Sequence, residues 1–531
     1  MNQASPPPFV RPTVPEGELA ALAATPAPPA ADPLPPRPRR VDRIASSVGP
    51  LARKQWLGRD GSRAAEREFR RAERLLERGV RAPLPIGWLA ATRERPAVTF
   101  SAWIEGAREL ADAWERATEG GATATAPRDA RRARRRLLSA VGLEVAALHR
   151  AGYAHGDLHA RNVLVDARGD AWFVDLARLR RAGRSAQQRD LHALYHHFAW
   201  RTSARERLEF ATTAEELPRD RVARHRRLRA LAAAAERSRQ RFLRHHERRC
   251  DGSGRAFAPF DGDRVYGVRR ADLPEELRAE LEALLRGELA ALPDALRAAG
   301  ATPIHATATS ALFRLERAGR ALALKWFDDR GPLRRLLRGS RAARAWRNAF
   351  RFEMAQLPTP RAWLFAQDAT GARRPSSVLV TDFVDDAPRL ADALTGPLAG
   401  GAAERGANRP PRLAPPLVAL AAALARLHDE GLSHRDLKAE NVLLPAAGGV
   451  AFIDLDGVRR RPATLDRVAR DLMRLNASFR DPRTVTWRLR LAFLAEYRQA
   501  RRLQRPPWRA LRDAVARRTA DKWLRQPNAR H

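Results

Sequence analysis

An aspartate followed five residues later by an asparagine, with a second aspartate eighteen residues from the first, occurs twice in this chain of 531 residues. The first set is Asp157, Asn162 and Asp175; the second is Asp436, Asn441 and Asp454. A carboxylate within reach of a hydroxyl accepts its proton, and acid and amide oxygens are the ligands Mg2+ prefers. With a cation added for the phosphates, such a set meets what transfer of a phosphoryl group from ATP requires. Asp157 and Asp436 are the candidates for orienting the attacking hydroxyl. Asn162, Asp175, Asn441 and Asp454 are the candidates for holding the metal.

The residues around each set repeat as well. His155-Gly156-Asp157-Leu158-His159 corresponds to His434-Arg435-Asp436-Leu437-Lys438, and an apolar strand leads to each second aspartate, all at a constant offset of 279. A repeat this long is a duplicated domain rather than a solenoid unit. The cations follow the same plan. The chain has four lysines against 94 arginines. Lys54 and Lys325 each lie on a short apolar segment, 103 and 111 residues before the first aspartate of their set. Lysine is a compact point charge suited to nucleotide phosphates, a task arginine's planar fork performs differently. Lys438, two residues after Asp436, is placed to touch the transferred phosphate. His155 and His434 read as structural supports of the loop.

The elements that must position these residues follow from the pattern of apolar and turn residues. Residues 1–40 are rich in Pro and Ala and are expected to be a disordered tail. A first domain is expected over 41–265, with a charged helix at 63–78 and an amphipathic helix at 131–150 leading into the first motif. A helical spacer is expected over 266–300. A second domain is expected over 301–531, with strands at 311–316 and 321–327, helices at 340–355 and 417–430, and a loop at 396–416. Trp103-Ile104-Glu105-Gly106 and Phe383-Val384-Asp385-Asp386 resemble each other where a two-lobed enzyme would pass from one lobe to the other.

Composition narrows the setting. No run of apolar residues is long enough to cross a bilayer, and no signal peptide is seen. One cysteine, Cys250, excludes an internal disulfide framework and fits a reducing compartment, so the expected location is the cytoplasm. The net charge of +37 reflects arginine-rich surface positions, and it also suits an anionic partner such as a membrane of acidic lipids. No nucleic-acid-binding motif accompanies it, and no nucleic acid is expected as a partner.

These motifs resemble the protein-kinase-like superfamily, and more closely the bacterial lipopolysaccharide core kinases, which phosphorylate Kdo or heptose sugars of the inner core. The resemblance is carried by His155–His159, by Gly339–Asn348 with Leu357-Pro358-Thr359-Pro360, and by Asp454–Arg460 with Arg470–Asn476. It implies an α+β fold of two tandem bilobal protein-kinase-like domains, each a small β-rich N-lobe with a mainly helical C-lobe. It implies ATP and Mg2+ as cofactors, and a lipid-linked sugar of the lipopolysaccharide core as acceptor, met at an anionic membrane surface where the protein would be peripheral on the inner membrane. The kinase lysine usually pairs with a glutamate, and Glu66 or Glu68 fits that role for Lys54. The helix after Lys325 has no such acid, and Glu353 is a misplaced substitute.

The sequence also departs from that pattern. Neither copy has Asp-Phe-Gly or Ala-Pro-Glu. Fifteen residues separate Asp175 from Asp190 and seventeen separate Asp454 from Asp471, too few for a long peptide-binding segment. No glycine-rich phosphate loop is present; Thr309 and Ser310 in the second copy are the candidates to meet phosphate, and the first copy offers only Ser46–Gly49. The expectation is therefore a kinase for a sugar hydroxyl of the lipopolysaccharide inner core, with a protein or other small-molecule kinase, or a tandem pseudokinase scaffold, as the alternatives.

Overall fold

In a computed structural model of the chain, the structure describes residues 13–26, 39–119, 126–198, 202, 204–215, 217–252, 254–261, 264–329, 339–369, 375–395, 411–501 and 505–526. The chain is α+β and divides into two compact units, Met1–Phe242 and Leu243–His531.

The first unit contains the antiparallel strands β1 (Arg39–Ile44), β2 (Leu51–Trp56), β3 (Pro85–Leu89) and β4 (Ala97–Ala102), in the order β1-β2-β4-β3. Helix α1 (Glu16–Ala24) and helix α2 (Gly61–Leu76) pack on this sheet. In α2 the small and apolar side chains Ala65, Phe69, Ala72 and Leu75 recur at helical spacing and are buried, while arginines fill the other face. A helical part follows, with Leu110–Glu119, Ala126–Arg150, Arg184–Phe198, Ala204–Ala214 and the part of Arg221–Glu247 up to Phe242. Its core gathers Leu138, Val141, Val145, Leu148, Leu158, Val163 and Phe173.

Part of the tail expected to be disordered is helical. Leu19 and Ala23 of α1 are buried with Val14, Ile86 and Phe100. Gly87 permits this approach, since a Cβ there would sit 2.6 Å from Leu19 Cδ1. Arg53, fully buried on β2, ties the helix down by donating to the carbonyl oxygens of Leu22 (2.7 Å) and Thr25 (2.5 Å) while pairing with Asp42 (2.6 Å). Residues 1–12 and 27–38 of the tail lie outside the described residues.

The small strands of the first motif are β5 (Arg108–Glu109), β6 (Tyr153–Ala154), β7 (Val163–Val165), β8 (Ala171–Phe173) and β9 (Arg180–Arg181). β7 pairs with β8 and β6 with β9, both antiparallel, so the motif loop is framed on both sides.

The second unit begins earlier than the sequence suggests. Strands β10 (Phe257–Asp261) and β11 (Val265–Arg270) belong to its sheet, with β12 (Thr302–Thr307), β13 (Ser310–Arg317), β14 (Arg320–Asp328), β15 (Ala362–Asp368) and β16 (Ser376–Asp382). The order is β10-β11-β15-β16-β14-β13-β12. Residues 243–265, expected to close the first domain, and 266–300, expected as a spacer, thus lie in the second unit. The helix expected across the spacer is two short ones, Glu275–Leu284 and Leu292–Ala298, and their Leu277, Leu281, Leu292 and Leu296, with the capping Leu285, join Leu322, Leu324, Val378 and Val380 in a core on one face of the sheet.

Helix Arg341–Met354 packs on the other face. Ser340 caps it by accepting from Ala343 N (3.1 Å), and Trp346 and Phe352 are buried in a core continuous with helices Pro415–Asp429, Leu465–Ala477, Trp487–Ala500 and Trp508–Arg525. Most of the expected loop 396–416 lies outside the described residues, and Pro415–Asp429 begins where that loop was expected to end. The second motif is framed like the first: β17 (Leu432–His434) pairs with β20 (Val458–Arg460) and β18 (Val442–Leu443) with β19 (Ala451–Phe452).

Candidate functional site

Each motif is built by the same local physics. The carboxylate of Asp190 accepts from the backbone N–H of His155 (2.6 Å) and Gly156 (2.9 Å); the carboxylate of Asp471 accepts from His434 N–H (3.1 Å). Buried polar backbone must be satisfied, and these two aspartates do so at the start of each loop. In the sequence Asp190 and Asp471 stand out only as spacing markers; their similar placement, fifteen and seventeen residues beyond Asp175 and Asp454, was the available signal.

Both histidines are fully buried, and burial pushes each imidazole below its usual range. They are therefore neutral near pH 7. His155 Nε2 lies 3.0 Å from Val174 O, and His434 Nε2 lies 3.3 Å from Ile453 O, which joins each loop to the strand before the second aspartate. Because His434 Nδ1 accepts from Asp436 N–H at 3.3 Å, its proton is assigned to Nε2. The structural role expected for both histidines is the one observed.

The asparagines are oriented alike. Asn162 Nδ2 donates to Asp157 O at 2.9 Å, and Asn441 Nδ2 donates to Asp436 O at 2.8 Å. With the amide nitrogen engaged, the amide oxygen is left for a cation. Asp175 and Asp454 both adopt left-handed backbone, at φ 58° and 59°, an uncommon state for a residue with a side chain. The segments that follow helices Gly61–Leu76 and Arg341–Met354 also dock onto these strands: Phe173 N–H donates to Arg81 O at 3.0 Å, and Phe452 N–H donates to Pro358 O at 2.9 Å.

In the first unit, Lys54 Nζ pairs with both carboxylate oxygens of Glu68 (2.8 and 2.7 Å) and with Asp175 Oδ1 (2.9 Å). The partner is thus Glu68; Glu66 is exposed on the far side of α2 and is set aside. Two residues not anticipated complete the cluster. Arg39, on β1, pairs with Asp175, and Arg71, on α2, donates to the carbonyl oxygens of Leu176 and Ala177. Burial opposes the charge on Asp175, but the Lys54 ammonium and then Arg39 outweigh it and hold its carboxyl below the usual carboxylate range. For Glu68 burial wins, and its carboxyl is raised despite Lys54. Ser46–Gly49 forms the tight turn between β1 and β2, with reciprocal backbone bonds of 3.1 and 3.2 Å.

In the second unit, Lys325 Nζ lies 2.7 Å from Asp454 Oδ1. Among the described residues no glutamate joins them; Glu353, the possible substitute, pairs with Arg270. The helix instead presents arginines. Arg341 Nε donates to Asp456 Oδ2 at 2.8 Å, its guanidinium stacks 4.6 Å from the Phe327 ring, and Arg344 lies 3.9 Å from Asp456. Burial opposes ionisation of Asp454, yet Lys325 and Arg341 hold its carboxyl below the usual range. Lys438 Nζ lies 3.2 Å from Asp436 Oδ1.

A cleft of about 680 Å3 opens over these groups, and Lys325, Asp436, Lys438, Asn441, Asp454 and Arg341 all line it. Thr309 and Ser310 sit at its rim in the β12–β13 turn, where Thr307 Oγ1 accepts from Ser310 N–H at 3.1 Å. Phe383 and Val384 of the expected inter-lobe crossing line it too. Among the described residues no group of three or more His, Cys, Asp and Glu side chains is arranged to hold a metal. An Asp–Asn pair offers two oxygen ligands, which suits Mg2+, an ion that keeps several waters and completes its shell with phosphate oxygens. Among the described residues no helix is long and apolar enough to cross a membrane.

The model of the lipopolysaccharide kinase (Kdo/WaaP) family matches residues 44–220 and 329–497. The 3-deoxy-D-manno-octulosonic acid kinase of Xanthomonas oryzae pv. oryzae (strain PXO99A) is 34% identical over 178 residues, 29% of this chain and 64% of that protein. The 3-deoxy-D-manno-octulosonic acid kinase of Stenotrophomonas maltophilia (strain K279a) is 34% identical over 126 residues, 23% of this chain and 44% of that protein. The chain thus spans about half to two thirds of the length of these relatives. A solved structure of WaaP in complex with acyl carrier protein aligns with a TM-score of 0.32 and 22% identity, covering 44% of this chain and 90% of that one.

Proposed function

This chain belongs to the lipopolysaccharide kinase (Kdo/WaaP) family, and from that premise we propose that it is an ATP- and Mg2+-dependent kinase for a sugar hydroxyl of the lipopolysaccharide inner core. The observation that carries the reading is the convergence of Lys325, Asp436, Lys438, Asn441 and Asp454 on one cleft of the second unit. Two kinase-like domains in tandem, each with a sheet lobe and a helical lobe, are part of the proposal; the shared strand order β1-β2-β4-β3 and β13-β14-β16-β15 supports it.

Magnesium-bound ATP supplies the γ-phosphoryl group and partial neutralisation of its charge. Lys325 binds the phosphates. Asp454 and the amide oxygen of Asn441 would hold the metal, which would neutralise phosphate charge there. Asp436 orients the acceptor hydroxyl and takes its proton, and Lys438 stabilises charge on the transferred group. The short stretch between Asp454 and Asp471 favours a small or lipid-linked acceptor over a peptide. The names of the relatives favour Kdo over heptose. The charge of +37 supports a peripheral position on the anionic cytoplasmic face of the membrane.

A second reading applies to the first unit. Arg39 and Lys54 both engage Asp175, the acid that a metal would need. This favours a supporting, pseudokinase role for that unit, with turnover in the second.

The test is transfer of labelled γ-phosphate from ATP to purified inner-core lipopolysaccharide by the wild type, Asp157→Ala, Asp436→Ala and the double variant. Loss of label with Asp436→Ala alone supports the division of labour. Partial loss with each single variant means that both units turn over. No transfer by a wild type that still binds ATP overturns the glycolipid acceptor.

A further inference from the structure

Three of the four lysines are accounted for by the two sites. The fourth, Lys522, lies in the last turn of the helix Trp508–Arg525, near the end of the chain and far in sequence from either motif. The fold brings it back to the second one. Asn476 Nδ2 donates to Thr519 Oγ1 at 3.0 Å, Trp523 Nε1 donates to Ala477 O at 3.2 Å, and Arg480 Nη2 donates to Trp523 O at 2.6 Å. These bonds clamp residues 519–523 to the end of helix Leu465–Ala477. That helix end is in turn fixed to the motif loop, because Ala439 N–H donates to Ser478 Oγ at 3.1 Å.

Lys522 therefore sits beside the loop, within electrostatic reach of Lys438, Arg474, Asp436 and Glu440. Arg474 reaches the same place, held by its bond to Asp471 Oδ1 at 2.8 Å. Among the described residues Lys522 has no ion-pair partner, whereas Lys438 and Arg474 each have one. Burial and then its two cationic neighbours push its ammonium below the usual lysine range. Three cations crowded beside a carboxylate that must meet a hydroxyl are unfavourable unless an anion joins them.

We propose that Lys522 and Arg474, flanked by Lys438, bind an anionic group that the acceptor carries close to the hydroxyl oriented by Asp436. The group is a carboxylate or a phosphate ester, and its natural sources are the acid function of the sugar or a phosphate of its lipid anchor. The proposal rests on the kinase reading above and makes it more specific: the acceptor is a sugar acid or phosphosugar, not a neutral heptose. The scarcity of lysine fits, since the other three, Lys54, Lys325 and Lys438, each lie against a motif carboxylate.

The test separates binding from turnover. Calorimetric titration in the presence of ADP and Mg2+ would compare the free 3-deoxy-octulosonic acid, its methyl ester and a phosphorylated disaccharide lacking the acid. The expected result is binding of the acid, the phosphosugar or both, loss of binding on esterification if the carboxylate is the group, and weakening of about tenfold or more in Lys522→Gln with retention in Lys522→Arg. In transfer assays the same variant should raise KM for the acceptor and leave KM for ATP unchanged. Binding of the acid and its ester with equal affinity, and of the phosphosugar no more tightly, overturns the anion site; so does equal binding by wild type and Lys522→Gln. Anion binding without transfer to either sugar upholds the site and overturns the kinase reading instead.

Discussion

Arg341 and Asp456 form an ion pair at 2.8 Å that stands where the first unit has the reverse arrangement, an acid on the helix and a cation on the strand. In the first unit Glu68 of α2 reaches Lys54. In the second, the helix contributes the cation, and the acid lies just beyond Asp454. The pair links helix Arg341–Met354 to the segment carrying Asp454 and leaves Lys325 paired with Asp454 alone among the carboxylates named here.

Arg341→Ala is expected to raise KM for ATP severalfold, with a smaller change in kcat. Exchange of the two charges, Arg341→Asp with Asp456→Arg, is expected to recover part of the loss. Steady-state kinetics of the two single variants and the double exchange would measure this coupling directly.

The first unit yields a contrasting expectation. Removing Arg39 takes one of two cations from Asp175, so Arg39→Ala should strengthen Mg2+-dependent nucleotide binding by that unit. Glu68→Gln should weaken it by leaving Lys54 without its main partner, and Glu66→Gln should change nothing. Nucleotide titrations in an Asp454→Asn background, which silences the second site, would resolve the three. Equal effects of Glu66→Gln and Glu68→Gln would sink the assignment.

The buried histidines predict sensitivity to acid. Both His155 and His434 have folded values below the ordinary imidazole value of about 6.5, so the unfolded chain binds more protons once the pH falls below that value. Stability is then full above about pH 6.5 and declines as the pH drops toward the folded values. Denaturant midpoints at pH 7.5, 6.5 and 5.5 should show this fall, and His434→Gln, although less stable overall, should show a shallower one.

Cys250 supplies a probe of the second unit. It is buried, and burial pushes its thiol up to about 12, so no thiolate forms at neutral pH. It should resist thiol reagents in the folded protein and react on unfolding. Trp346, whose indole N–H donates to Cys250 O at 2.7 Å, packs beside it. Trp346→Ala should cost about 3–5 kcal/mol and make Cys250 reactive at lower denaturant.

Much of this was legible because it is local or periodic. The spacing of Asp157, Asn162 and Asp175 fixes a loop and strand whose geometry recurs at Asp436, Asn441 and Asp454. The lysines stood out because arginine fills nearly every other basic position. The helix expected at 340–355 is observed at Arg341–Met354, where apolar spacing and the Ser340 cap coincide. What sequence missed depends on pairing between distant segments. Strands β10 and β11 fall in stretches expected to close the first domain and open the spacer, yet they pair into the second sheet, where Gly267 is required because a Cβ would lie 1.9 Å from Phe365 O on the neighbouring β15. Arg39 was hidden in a tail read by its prolines. Glu66 and Glu68 were equivalent until the helix phase chose between them.

The ion pair between Lys54 and Asp175 joins residues 121 apart in sequence, and both belong to the first compact unit. During synthesis, therefore, every group of the first site has left the ribosome long before Lys325 is made, and that site can close on its own schedule. The second cluster must wait for Asp454, so the nascent protein passes through a long interval in which it holds one closed cluster of charges and an unfinished second one.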